Sequence, residues 1–408
     1  MSDVGNIDPP KRLVSLDAYR GFIMLVMASG GFAIAHVASE LTEAGEPSRF
    51  WDILGFQFSH TPWTGCSFWD LIQPSFMFMV GVAMPYSYAS RRTKGKTTQQ
   101  IAGHAVLRAI ILILLGVFLS SNGAQETNFT FVNVLTQIGL GYCFVLLLIG
   151  RGLAVQTAAL AFILVGYWLA FALYPTLPLA QFDDKTLGVP VDWDHLFSGF
   201  FAHWNKNANF AHGVDVWFLN LFPRSKPFLF NRGGYQTLNF VPSMGTMIFG
   251  LMAGELLRGG KKPFEKFLNL AIGGAVCLVV GFVLAHTVCP SVKRIWTPSW
   301  AVFSTGWTLW MLAGFYWIID IQGYRKWAWP FVVVGMNSIA MYCMAQLLKP
   351  WTARTIKTHF GQHLFEGTYA GTEVVANLYS PTLQSAAVLF AFWLVCVWMY
   401  RQKIFIRI

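Results

Sequence analysis

Charge is what this sequence has least of. Only 12% of its 408 residues are Asp, Glu, Lys or Arg, against about 25% in soluble domains. A soluble core could not hide hydrophobic residues that make up 55% of the chain. Composition therefore excludes an ordinary soluble domain and leaves a polytopic membrane protein. Acids are scarcer than bases, 19 against 29, for a formal charge of +10. That excess does not mark a nucleic-acid binder, because the basic residues stand in short clusters between apolar runs, the pattern of topology signals. Cysteines number six, none in a C-x-x-C pair, which supports neither a zinc site nor a disulfide framework. The nine histidines show no H-E-x-x-H spacing, so no metal is assigned. The first apolar run lacks a small-residue cleavage site and is read as a span, not as a removable signal peptide. No short-period repeat is visible.

What the sequence has in abundance is long apolar runs. A crossing needs roughly 20 apolar residues. Ten candidates qualify, at about 15–38, 67–89, 101–121, 131–149, 153–174, 237–257, 267–287, 299–319, 329–348 and 383–400. The fold class expected is an all-α transmembrane helix bundle of about ten spans. Lys and Arg collect in the short loops that an inside N-terminus would make cytoplasmic: Lys11 and Arg12, Arg91 to Lys96, Arg151, Arg258 to Lys266, Arg325 and Lys326, and the tail from Arg401 to Arg407. Both termini are therefore expected in the cytoplasm. Residues 1–408 read as a single transmembrane domain. Its one long insertion, about 175–236, faces outward and is too rich in Trp and Phe for a disordered linker. It is expected to pack over the outer mouth as interfacial helices.

Polar residues at span boundaries carry the chemistry. In HTPWTGCSFWDLIQPSF, His60 and Trp63 fall at the outer surface and Asp70 about one turn into the second span. A carboxylate there is costly and needs a partner. His60 is the natural one, and the pair reads as a general base with an orienting acid. RLVSLDAYRG sets Asp17 and Arg20 at the inner end of the first span. Two readings stay open: helix capping with an ion pair, or an arginine fork held for an anionic group from the cytoplasm. KRIWTPSW brings Lys293, Trp296 and Ser299 to the outer end of the eighth span, with Asn239 at the outer end of the sixth. The tryptophans suit an aromatic belt or a stacked sugar ring. Asn337, inside an apolar span, is either helix–helix glue or pocket lining.

These motifs in their order (RLVSLDAYRG, the run from His60 through Gly81, GLMAGELL, KRIWTPSW and GMNSIAMYC) resemble the heparan-α-glucosaminide N-acetyltransferase family of transmembrane acyltransferases, from about Arg12 to the C-terminus. The resemblance implies acetyl transfer from acetyl-CoA to the amino group of a glucosamine, across a membrane, with the catalytic histidine on His60. Three departures stand out. GGYQ (233–236) replaces an acidic stretch, Gln137 replaces an arginine, and Ser29 replaces an asparagine. The family member of the lysosome also carries an N-terminal lumenal portion not matched here. These differences point away from a long heparan chain and toward the bacterial branch, with a small amino sugar or envelope saccharide as acceptor.

The reading at this stage is a multi-pass acetyltransferase of a bacterial inner membrane. His60 and Asp70 are catalytic. Arg20, Asp17, Gln137 and Arg258 are assigned to acetyl-CoA, and Trp63, Asn239, Lys293, Trp296, Ser299 and Asn337 to the sugar. The partners expected are acetyl-CoA, a glucosamine-type sugar and the bilayer, without nucleic acid and with a homodimer left open. The alternatives are an amino-sugar transporter without chemistry and an O-acyltransferase acting on an envelope saccharide.

Overall fold

The structure, a computed structural model, describes residues 13–360 and 373–406 and, in the second stretch, side chains from 378 onward. Lys11, Arg12 and Arg407, part of the inner-face pattern read from sequence, lie outside the described residues. Among those described, the chain is helical throughout, and its one β contact is an isolated antiparallel bridge between Thr64 and Val292. The helices are α1 (Val14–Ser29), α2 (Ile34–Glu43), α3 (Arg49–Gln57), α4 (Ile72–Thr93), α5 (Thr98–Ser120), α6 (Val134–Leu146), α7 (Leu153–Ala172), α8 (Phe210–Leu219), α9 (Phe240–Arg258), α10 (Pro263–Thr287), α11 (Pro298–Phe315), α12 (Trp329–Met336), α13 (Ser338–Leu347), α14 (Lys349–Phe360) and α15 (Glu373–Arg401).

Local signals set several of these boundaries. Thr97 accepts the Gln100 N–H while the Gln100 side chain returns to the Thr97 N–H, a capping box that starts α5. Thr297 caps α11 at Trp300, with Pro298 in the first turn.

Among the described residues, seven helical stretches are long and apolar enough to cross a bilayer, α1 and α2 counting together as one, or eight if the pair α12–α13, bent by 68° at Asn337, counts as one broken span. Ten were expected, and the two that fall short do so for different reasons. The run 131–149 yields only the 13-residue α6. α4 has the length, 22 residues or about 33 Å, but carries Gln73, Ser75, Ser87, Arg91 and Arg92. Protein surrounds Ser75, which accepts the Tyr19 hydroxyl, and Arg91 and Arg92 stand in the last turn of the helix. Phe78, Gly81 and Val82 pack backbone-close on α9, where a Cβ on Gly250 would strike the Phe78 carbonyl and one on Gly254 the Val82 carbonyl. Asp70 also sits just ahead of α4, in the short 3-10 turn Trp69–Leu71, and not one turn inside the helix.

The pairing of Phe78 with Gly250 and of Val82 with Gly254 shows that α4 and α9 run parallel. The start of α11 joins theirs, since the Trp296 indole N–H reaches Thr246 Oγ1 at 3.3 Å. Three helix N-termini, each a partial positive charge, thus gather at one end of the bundle. Arg91, Arg92 and Arg258 mark the other end, in the last turns of α4 and α9. The stretch 175–236 covers the first end. It is more than a set of interfacial helices, because it shares a buried cluster of Trp63, Tyr167, Phe171, Trp204, Cys289, Val292 and Ile295.

Candidate active site

The site is assembled from two loops that lie far apart in sequence. The segment between α3 and α4 carries His60 and Asp70. The segment between α10 and α11 carries Lys293 and Arg294. The bridge between Thr64 and Val292 joins them, and the Gly65 N–H donates to the Ser291 carbonyl at 3.3 Å. Gly65 has φ +109°, a conformation open to glycine. On the second loop, Trp296 has φ +46° and ends a 3-10 turn. That reversal sends the Lys293 side chain toward Asp70 and the Trp296 ring down to Thr246.

Asp70 is the hub. Its Oδ1 lies 2.7 Å from His60 Nδ1 and 3.2 Å from Lys293 Nζ. Its Oδ2 accepts the Thr61 N–H at 3.2 Å, the Thr61 hydroxyl at 3.0 Å, the Ser67 N–H at 3.3 Å and the Ser67 hydroxyl at 3.1 Å. The Asp70 side chain is 1% exposed and that of Lys293 4%, whereas His60 is 39% exposed. The charges are buried and the imidazole edge is not.

This geometry fixes the tautomer. At 2.7 Å from a carboxylate, Nδ1 carries the hydrogen and donates it to Asp70. The Lys293 ammonium, 3.0 Å from the same nitrogen, then has Asp70 as its acceptor. Nε2 keeps its lone pair and has no protein partner among the described residues. Burial pulls the His60 pKa down first. The Asp70 hydrogen bond pushes back and the Lys293 charge pulls further, for a net value below the ordinary 6.5. Burial alone would raise the Asp70 carboxyl, but the His60 bond and the Lys293 charge outweigh it and hold the group ionised. Burial brings Lys293 down to about 8, against the opposing pull of Asp70. The result is a neutral imidazole with a free nitrogen, backed by an ionised acid, which is the arrangement of a general base.

The other residues singled out from sequence fall in several places. Trp63 is 1% exposed, its indole N–H on the Trp204 carbonyl at 3.1 Å. Asn239 donates to the Arg294 carbonyl at 2.8 Å, and Ser299 to the Pro290 carbonyl at 3.0 Å. Trp63, Asn239, Trp296 and Ser299 surround the cluster as buried braces. Asn337 is bonded to the chain end, donating to the Ile404 carbonyl at 3.0 Å and accepting the Ile406 N–H at 3.1 Å. The four residues assigned to acetyl-CoA do not come together. Arg20 pairs with Asp17 at 3.8 Å. Gln137 donates to the carbonyls of Phe131 and Thr237 beside the start of α9, whereas Arg258 ends that 19-residue helix, about 28 Å away.

Sequence reasoning missed several participants. Arg294 donates to the Gly233 carbonyl at 2.7 Å and the Thr61 carbonyl at 3.2 Å, and stacks over Tyr235 with 5.5 Å to the ring centre. Thr61 and Ser67 hold Asp70. The spacing Ser67-x-x-Asp70 resembles a cap signature and was the available signal. At the opposite end, a small pocket is lined by Tyr88, Arg91, His104 and Tyr142. Arg91 donates to His104 Nε2 at 2.9 Å, Arg92 to the Tyr88 hydroxyl at 3.0 Å and Arg108 to the Tyr142 hydroxyl at 3.2 Å. Among the described residues none of these three arginines pairs with a carboxylate.

No family model matches the chain. Two curated proteins are similar to it. One is heparan-alpha-glucosaminide N-acetyltransferase of Homo sapiens, 20% identical over 98% of this chain and 60% of the relative. The other is the protein of the same name from Mus musculus, 20% identical over 88% of this chain and 58% of the relative. The chain thus spans about 60% of the length of the curated relatives it matches. At this identity, sustained over most of its length, the chain is a distant relative of the heparan-alpha-glucosaminide N-acetyltransferases.

Proposed function

We propose that this protein is a membrane acetyltransferase that moves the acetyl group of acetyl-CoA to the amine of a glucosamine-type sugar, with His60 as general base. The observation that carries the reading is the half-exposed His60 whose Nδ1 is bonded to a buried, ionised Asp70. His60 Nε2 takes a proton from the sugar amine as the nitrogen attacks the acetyl carbonyl. The C–N bond forms, the C–S bond breaks, and the imidazolium returns its proton to the departing CoA thiolate. Asp70 holds the tautomer and Lys293 keeps the imidazole neutral between turnovers. The names of the two distant relatives support the reaction class.

The donor's phosphates suit the opposite end. Among the described residues, Arg91, Arg92 and Arg108 offer guanidinium forks without acidic partners, and forks of this kind match phosphate oxygens. The basic clusters of this end support a cytoplasmic orientation, which puts His60 and the acceptor on the outer side of a bacterial inner membrane. About 29 Å of α4 separates the two ends, so the donor must lie extended along the bundle.

Isothermal titration of the purified protein with acetyl-CoA tests the donor assignment. Binding should weaken as salt is raised. Arg108→Gln should weaken it by about tenfold or more, the range for a lost hydrogen bond to a charged group. A protein that ignores acetyl-CoA altogether would favour the transporter reading. Radiolabelled acetyl transfer to glucosamine, compared with N-acetylglucosamine, separates amine from hydroxyl acceptors.

The acid limb of kcat/KM gives a second test. A base must be unprotonated, so turnover should hold below pH 6.5 and fall only as the lowered His60 pKa is reached. Lys293→Met removes a neighbouring cation, which should raise the imidazole pKa and move the acid limb to higher pH. An acid limb that stays put, or moves lower, would separate Lys293 from the base.

A further inference from the structure

The bundle has a second concavity that the acetyl-transfer reading does not use. α7 packs on α9, and α10 on α11, which leaves a cleft of about 550 Å³ between α7 and α10. Leu160, Leu164 and Val165 form one wall, Cys277 and Val280 the other, and Phe249 part of the floor. Thr157 is the one lining residue with a hydroxyl. Val165 is 54% exposed and Val280 43%, so the cleft opens sideways. Both flanking helices are candidate spans, and the opening therefore faces hydrocarbon.

One end of the cleft meets the catalytic loop. Trp168, Val288 and Pro298 line that end. The Trp168 indole N–H donates to the Val288 carbonyl at 3.1 Å. One residue earlier, the Tyr167 hydroxyl donates to the Ile295 carbonyl at 3.0 Å. Val288 and Pro298 flank the loop that delivers Lys293 to Asp70. A molecule lying in the cleft would have its upper end beside the turn that completes the site.

Size and chemistry point to one kind of occupant. The lining runs along α7 from Thr157 to Trp168, about 17 Å at the helical rise, a length that suits an extended apolar chain. A sugar would bury its hydroxyls there without partners. An alkyl chain has none to bury. We propose that the cleft seats the hydrocarbon chain of a lipid-linked acceptor, whose amino-sugar head then lies at His60. This inference rests on the acetyl-transfer reading for the head and on the cleft alone for the tail.

The experiment uses the full-length protein in nanodiscs and an alkyl glucosaminide with a diazirine in its tail, alongside free glucosamine. Cross-links should map to α7 and α10. The alkyl substrate should be acetylated with a kcat/KM at least tenfold above that of glucosamine. Val280→Trp and, on the opposite wall, Val165→Trp narrow the cleft at exposed positions. Each should cut alkyl-glucosaminide turnover at least fivefold and leave free-glucosamine turnover within twofold, which also shows that the variant is folded. Partition into the nanodisc is common to wild type and variants and cancels in the comparison. Cross-links in the cleft without any acetylation would keep the tail site and overturn the acetyl-transfer reading. Acetylation with cross-links elsewhere, or with both substrates equally affected by the tryptophans, would overturn the cleft.

Discussion

His60→Ala is expected to lower acetyl transfer by about a hundredfold or more, the usual contribution of a positioned proton acceptor, in a protein that still folds and still binds acetyl-CoA. Folding should survive because Asp70 loses only one partner. Lys293, Thr61 and Ser67 still satisfy both of its oxygens. Donor binding should survive because the arginines proposed for the phosphates stand at the other end of α4. A purely structural histidine predicts the opposite pattern, with lower yield and melting temperature and normal activity per folded molecule. Turnover measured beside a melting curve and a titration with acetyl-CoA decides between them. Near-normal turnover in a stable His60→Ala protein would falsify the mechanism.

Local and long-range features of the site differed in how far sequence revealed them. The His60–Asp70 pair could be read because both residues sit in one short stretch, and a carboxylate beside an apolar run demands a partner. Lys293 could be named as polar and near the outer end, but not as the third member. Its contact with Asp70 spans 223 residues and depends on the bridge between Thr64 and Val292, which no local pattern announces. Arg294, directly beside it, was passed over for the same reason, since its partners are carbonyls at Thr61 and Gly233. The ten expected spans and the seven or eight helices that meet the length and apolarity of a crossing differ for a physical reason. Length and apolarity identify a helix that faces lipid, whereas α4 is held by glycine contacts with α9. GLMAGELL carried that signal, because Gly250 and Gly254 are spaced for close backbone approach. The acetyl-CoA set came apart because it drew on residues from both ends of the bundle.

The largest stability effects are expected at Asp70, and they should be unequal between the two partners of the buried ion pair. Asp70→Ala leaves the Lys293 ammonium, 4% exposed, without its countercharge. Removing one member of a buried pair costs about 3–5 kcal/mol. The Thr61 and Ser67 donors lose their acceptor as well, so little folded Asp70→Ala protein should be recovered. Lys293→Met removes the other member and should cost much less. The carboxylate keeps five hydrogen bonds, from His60, Thr61 and Ser67, and a long apolar side chain fills the space of the lysine stem. The double variant Asp70→Asn with Lys293→Met then separates stability from chemistry. It buries no net charge and gives the Thr61 and Ser67 donors an amide oxygen, so its melting temperature should approach that of the wild type. Its turnover should stay low, because the amide cannot stabilise the imidazolium that forms when His60 takes a proton. If Asp70→Ala folds as well as Lys293→Met, the buried charge balance is not what holds the two loops together. If the double variant recovers activity along with stability, Asp70 supports the fold without supporting the base.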